Sequence, residues 1–202
     1  MISNLFLGAS FAIIWCIVIW MLNREFNNSE TEVPASWFAI LNSFFIIVFA
    51  PVLSKIWQSK YNPSGPVKFG IGLFLLATGF AILSYGSINI PLGAVSASQS
   101  MIFLILAYLF HTLGELCISP VGLSYVSKLA PKNLVGLMFG VWFVANFIAN
   151  YSAGITGSYI DIIVERDGMA FFFLIFTILP VIVGVLMIIS NRKIVKMMHG
   201  IE

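Results

Sequence analysis

The sequence predicts an all-α membrane protein, a bundle of six transmembrane helices, on three observations. Hydrophobic residues make up 60% of the 202 and charged residues only 9%, against roughly a quarter charged in an ordinary soluble domain. The apolar residues fall in continuous runs of about twenty, the length that crosses ~30 Å of hydrocarbon as helix. The ionisable residues gather in short polar gaps between those runs. Strands do not fit, because the runs do not alternate apolar with polar and an open sheet edge cannot face lipid.

The runs cover residues 4–22, 36–56, 67–88, 98–125, 134–159 and 169–190, one bundle over residues 1–202. The first is nineteen residues long with no Lys or Arg before it, which sets it apart from a secretory signal and makes it a true span. The second holds Pro51 toward its end, the fourth holds Pro120 followed by Gly122, and the sixth holds Pro180. A proline inside a helix withdraws one backbone donor and frees the carbonyl four residues earlier. In a membrane that carbonyl needs a partner from a neighbouring helix or water, so Pro120 and Pro180 are candidate bending points. The plainer reading is that proline is simply commoner in membrane helices, and it weighs least for Pro120, which adjoins a buried acid.

In the fifth run small residues recur four apart at Ala145, Ala149, Ala153 and Gly157, after Gly136 and Gly140. That spacing predicts close backbone approach to a neighbour. Trp142, Asn146 and Asn150 form a second stripe about 100° away, presenting polar groups to a different neighbour. Its asparagines serve either interhelical hydrogen bonding or a ligand. No internal repeat of fixed short period and no low-complexity tract is evident.

Sidedness follows from the basic residues, since Lys- and Arg-rich loops are retained in the cytoplasm. Lys55, Lys60 and Lys68 flank the second gap, Lys128 and Lys132 the fourth, and Arg192, Lys193 and Lys196 the tail, while the odd gaps hold only Arg24 and Arg166. Both termini are therefore expected in the cytoplasm of a multi-pass plasma (inner) membrane protein. The acids sort the other way, with Glu25, Glu30 and Glu32 in the first gap and Asp161, Glu165 and Asp167 in the fifth.

A net charge of +2, with basic residues scattered through loops, gives no nucleic-acid surface. Cys16 and Cys117 lie in apolar runs, without C-x-x-C or metal-ligand spacing, and read as small buried hydrophobes; no metal site is expected. Nucleophile elbow, glycine-rich phosphate loop, H-E-x-x-H and carboxylate pair are all missing, so the pattern does not suggest an enzyme. What remains suits a secondary carrier, whose bending helices surround a midplane site with few ionisable groups.

Setting aside the gap residues and Glu202, one acid remains, Glu115 in the middle of the fourth span. A carboxylate at that depth costs several kcal/mol, so it normally faces a cavity, a partner or a proton path. His111 lies one turn before it and Ser119 one turn after, placing all three on one face of the helix. The alternatives are a structural acid paired with a neighbouring helix and, for His111, a hydrogen-bonded packing residue.

The stretch H-T-L-G-E-L-C-I-S-P-V-G-L-S at 111–124, followed by K-L-A-P-K at 128–132, closely resembles the tenth helix and following loop of the proton-dependent oligopeptide transporter family, within the major facilitator superfamily. P-A-S-W-F-A-I-L-N-S-F-F-I-I-V-F-A-P-V at 34–52 is similar to its eighth helix, and M-F-G-V-W-F-V-A-N at 138–146 to its eleventh. The resemblance implies the C-terminal half of a twelve-helix symporter for di- and tripeptides, with a coupling proton, no other cofactor, and a separate N-terminal six-helix bundle as partner in the bilayer. It implies that Glu115 receives the peptide amino terminus, that Ser119 lies one turn along the same face, that Asn42 is a polar contact from the eighth helix, and that Trp142 and Asn146 face the cavity from the eleventh. Two family features are not found in these residues: an acid within the seventh helix, since 4–22 has none, and the E-x-x-E-R motif of the N-terminal half. The alternatives are a non-transporting six-helix remnant or accessory membrane protein, and a peptide carrier that is uncoupled.

Overall fold

The computed structural model describes residues 16, 20, 35–92 and 99–199. The chain divides into two units, Met1–Trp37 and Phe38–Glu202. In the first, Cys16 and Trp20 are helical and residues 35–37 open a helix; the expected span 4–22 otherwise lies outside the described residues. The helices are α1 (Ala35–Trp57), α2 (Gly65–Gly86), α3 (Met101–Leu129), α4 (Val135–Ser158), α5 (Ile160–Asp167), α6 (Met169–Ile189) and α7 (Asn191–Met197). Five of these, α1 to α4 and α6, are long and apolar enough to cross a membrane. With no strand among the described residues, the molecule is an all-α, multi-pass membrane protein.

The second unit is built around α2, which packs along α3 and along α6. The reason lies in its glycines. Gly65, Gly72, Gly79 and Gly86 recur every seven residues, and a β-carbon on any of them would collide with α3, meeting Tyr125, Ile118 with the Gly114 carbonyl, His111 and Phe103 in turn. Seven residues are two turns at 3.5 per turn, the period of a left-handed helix crossing. Gly70 turns the other way: a β-carbon there would stand 2.7 Å from Ile188 Cγ1 and 3.2 Å from the Gly184 carbonyl of α6.

The stripe in 134–159 was expected to provide the close approach, yet Gly136, Gly140, Gly154 and Gly157 have nothing within 4 Å among the described residues. No residue of α4 is buried, and it touches the unit at the end of α3. Its outward surface carries Phe143, Phe147 and Tyr151, the last two stacked at 6.2 Å.

Polar side chains tie the ends of the α2–α6 pair. Ser64 Oγ donates to Asn191 Oδ1 (2.6 Å) and Ser84 Oγ to the Ala170 carbonyl (2.8 Å). The gap after the fifth span is not a plain loop, because Ile160, Ile163 and Val164 share one face of α5 while Asp161 stabilises its first turn. Gly168 then joins α5 to α6 at φ +88°, a backbone angle that side-chain-bearing residues rarely adopt. Cys117 is buried and free, whereas Cys16 is free but exposed, so the expected burial holds for only one of the two.

Candidate functional site

Glu115 stands fourteen residues from each end of α3, at its midpoint. It is exposed on the face of α3 that α2 leaves uncovered, and among the described residues no side chain pairs with its carboxylate. The single salt bridge among those residues, Arg166 to Asp167 at 3.9 Å, is exposed and far along the chain. A carboxyl group at the centre of a spanning helix, exposed and without a side-chain partner among the described residues, is what a ligand-facing acid requires.

Its surroundings come from α3 and α1. Thr112, three residues before Glu115 and 1% exposed, has its hydroxyl 2.6 Å from Asn42 Oδ1 and 2.7 Å from the Tyr108 carbonyl. A single hydroxyl proton serves one of these acceptors at a time. One turn towards the start of α3, Tyr108 stacks on Phe38 at 5.8 Å. These two side-chain contacts link α1 to α3, and Asn42 meets α3 at Thr112, three residues before Glu115. Sequence reasoning passed over Thr112. The available signal was a hydroxyl in the quoted stretch 111–124, one helical neighbour from the acid.

Ser119 is half-buried on the far side of Glu115, immediately before Pro120, which leaves the Leu116 carbonyl without its helical donor. The Glu115 carboxyl, the Leu116 carbonyl that lacks its helical donor and the Ser119 hydroxyl thus fall within five residues of one helix. Pro180 is buried in α6 and belongs to the packed side of the unit.

His111 leaves this group. Its ring lies against Gly79 and meets Phe80 at 4.4 Å with the ring planes tilted by 52°, within a run of aromatic contacts that continues through Phe176 to Phe172. Its Nε2 is buried with no partner among the described residues. The one-turn spacing from Glu115 placed both on one side of α3, but Gly79 opens a recess that draws the ring into the helix interface.

Trp142 and Asn146 are also apart from Glu115. The indole of Trp142 rests on Gly122, where a β-carbon would overlap it. That glycine is seven residues beyond Glu115, about 10 Å along the axis. Asn146 Nδ2 donates to the Trp142 carbonyl and Asn150 Nδ2 to the Asn146 carbonyl, both at 2.9 Å. The asparagine amides are therefore used on their own helix rather than between helices, among the described residues.

A cavity of about 530 Å³ lies beyond Trp142, between the start of α2, the end of α3 and the start of α4. Phe69, Gly122, Tyr125, Met138 and Trp142 contribute to its wall, and Glu115, Ser119, Asn42 and Asn146 do not. Among the described residues no three His, Cys, Asp or Glu side chains come together as a metal site.

The sequence profile described as the POT family matches residues 9–169. A di-/tripeptide transporter of Lactococcus lactis subsp. cremoris is 32% identical over 183 residues, 90% of this chain and 35% of its own length. The peptide transporter YePEPT of Yersinia enterocolitica is 39% identical over 133 residues, 64% of this chain and 26% of its own. Dipeptide and tripeptide permease A of Escherichia coli is 32% identical over 191 residues, 87% of this chain and 36% of its own. Among solved structures, a peptide transporter POT in complex with sulfate aligns with a TM-score of 0.70 at 27% identity, covering 82% of this chain and 32% of that one. A POT family transporter in complex with 5-aminolevulinic acid aligns at 0.64 with 29% identity, over 76% and 30%. The chain thus spans about a quarter to a third of the length of these relatives.

Proposed function

The chain belongs to the POT family, and from that premise we propose that it forms the C-terminal half of a carrier moving di- and tripeptides inward with protons across the plasma (inner) membrane. The observation that carries the reading is Glu115, a carboxylate at the midpoint of a spanning helix, exposed and unpaired among the described residues. A peptide ammonium is its natural complement, because a charge-assisted contact offsets the cost of holding an anion at that depth.

In this reading the six-helix unit forms one wall of a midplane site, with a second six-helix bundle opposite. Glu115 takes the peptide amino terminus. Ser119 and the Asn42–Thr112 pair fix its surroundings, and Trp142 and Asn146 reach the same cavity from α4 in another conformation of the carrier. Pro120 lets the second half of α3 swing about the freed Leu116 carbonyl, and Pro180 gives α6 a matching bend, so that the two bundles rock and expose the site alternately. Both termini are cytoplasmic.

Proton-driven accumulation of a labelled dipeptide by the complete gene product tests this. Uptake that rises with an imposed inward proton gradient is the expected result, and no saturable uptake would overturn it in favour of a non-transporting membrane protein. The absence of an acid from residues 4–22 favours one second reading, an uncoupled peptide carrier. It would show saturable uptake indifferent to the gradient.

A further inference from the structure

The 530 Å³ cavity plays no part in the proposed peptide site, yet it has the size of a ligand pocket. Apart from the Tyr125 hydroxyl and the Trp142 indole N–H, its lining side chains are apolar. A peptide, with two charged termini, has nothing to bind there. The sequence around the lining is one-sided in charge. Lys68 precedes Phe69, Lys132 follows Pro131, and Arg192, Lys193 and Lys196 surround Ile194 in α7. No acid lies within two positions of any lining residue. Lys132, Arg192, Lys193 and Lys196 are exposed, and the Lys68 ammonium lies 5.2 Å from the Trp57 ring.

We propose that this cavity is a site for an anionic phospholipid, one acyl chain lying against Trp142 and Gly122 and the phosphate held by the basic residues of the α3–α4 turn and α7. Three features select that ligand. The wall is hydrocarbon-like, which suits an acyl chain and repels a free anion. The cavity lies where membrane-spanning helices end, at the depth of a headgroup. The exposed cations Lys132, Arg192, Lys193 and Lys196 give this rim a positive charge complementary to an acidic headgroup, and basic pockets between spanning helices take such headgroups for this reason. Gly122 is integral to the site, because a β-carbon there would overlap the outer edge of the Trp142 indole and displace it.

Trp142 supplies the readout. The 202-residue chain is placed in phosphatidylcholine nanodiscs containing a minor fraction of acyl-brominated phosphatidylglycerol or the same fraction of acyl-brominated phosphatidylcholine. The Trp142 contribution to quenching is isolated by comparison with Trp142→Phe. Brominated phosphatidylglycerol should quench this component preferentially, and the triple variant Lys132→Gln, Lys193→Gln, Lys196→Gln should lower that preference about tenfold or more. Ala145→Phe, which fills the cavity from α4, should remove quenching by both lipids, and inorganic phosphate should not compete. Equal quenching by the two headgroups would overturn the proposal. So would a preference that survives the triple variant, one that survives Ala145→Phe as a general basic surface would, or one that inorganic phosphate abolishes. The triple variant alters only exposed side chains, so it decides the matter even if Ala145→Phe does not fold.

Discussion

The carbonyl oxygen of Gly72 lies 2.7 Å from the point where a β-carbon on Gly114 would stand. Backbone meets backbone there, so no side-chain rotation can relieve an added methyl group. Gly114→Ala must push α2 from α3, and overpacking of this kind costs ~1 to 3 kcal/mol. Gly140 offers the control, since nothing lies within 4 Å of it among the described residues; Gly140→Ala should be neutral or slightly stabilising through helix propensity. Unfolding in micelles of rising denaturing-detergent content measures both. Equal midpoints for the two variants would show that the unit is not held by its glycine row.

The Thr112–Asn42 contact should be detectable as a coupling rather than as a large loss. Hydrogen bonds between membrane helices average ~0.6 kcal/mol in double-mutant cycles and reach ~1.7. Thr112→Val keeps the shape of a side chain that is 1% exposed, and Asn42→Ala removes the other partner. The two losses should fall short of additivity by that amount. Strict additivity would mean that α1 is held at this level by Phe38 on Tyr108 alone.

Orientation can be read with cysteines in a background lacking Cys16 and Cys117. Asn62, between α1 and α2, and Glu165, on α5, are both exposed and lie on opposite sides of the expected membrane. With cytoplasmic termini, a membrane-impermeant maleimide should label Glu165→Cys on intact cells and Asn62→Cys only after permeabilisation. The reverse pattern would invert the topology.

Apolar run length is a strong signal, and for the five expected spans that fall on described helices the ends differ by at most four residues, the largest shift being the extension of α3 from 125 to Leu129; the span 4–22 lies outside this comparison. Glu115 was equally plain, as one acid in the middle of a span. What the sequence did not disclose was which small residues meet which neighbour. The four-residue spacing of Gly136 and Gly140 and the seven-residue spacing of Gly65 to Gly86 both bring glycines to one helix face, and only the structure shows that the second row has a helix against it. Local chemistry hid the rest. The amide of Asn146 can satisfy its own helix as readily as a neighbour, and the direction of the His111 ring depends on a recess at Gly79, thirty-two residues away.

The substitution that most directly tests the site is Glu115→Gln, which keeps size and one acceptor and removes the charge. If Glu115 receives a peptide ammonium in a partly dry cavity, losing one member of the pair commonly costs ~2 to 5 kcal/mol, because the other charge is left uncompensated. In the complete carrier, free dipeptides should therefore bind ~30-fold or more weakly. Dipeptides with an acetylated amino terminus bring no cation, so their affinity, low in the wild type, should change much less. Ser119→Ala removes a neutral hydroxyl and should cost ~1 kcal/mol or less. Competition of free and acetylated dipeptides against a labelled substrate, in wild type and Glu115→Gln, separates the roles. Stability is not expected to fall, since no described side chain pairs with Glu115. An equal loss for both ligands would assign Glu115 to proton relay or to contact with the opposite bundle, and would remove the amino terminus as its ligand.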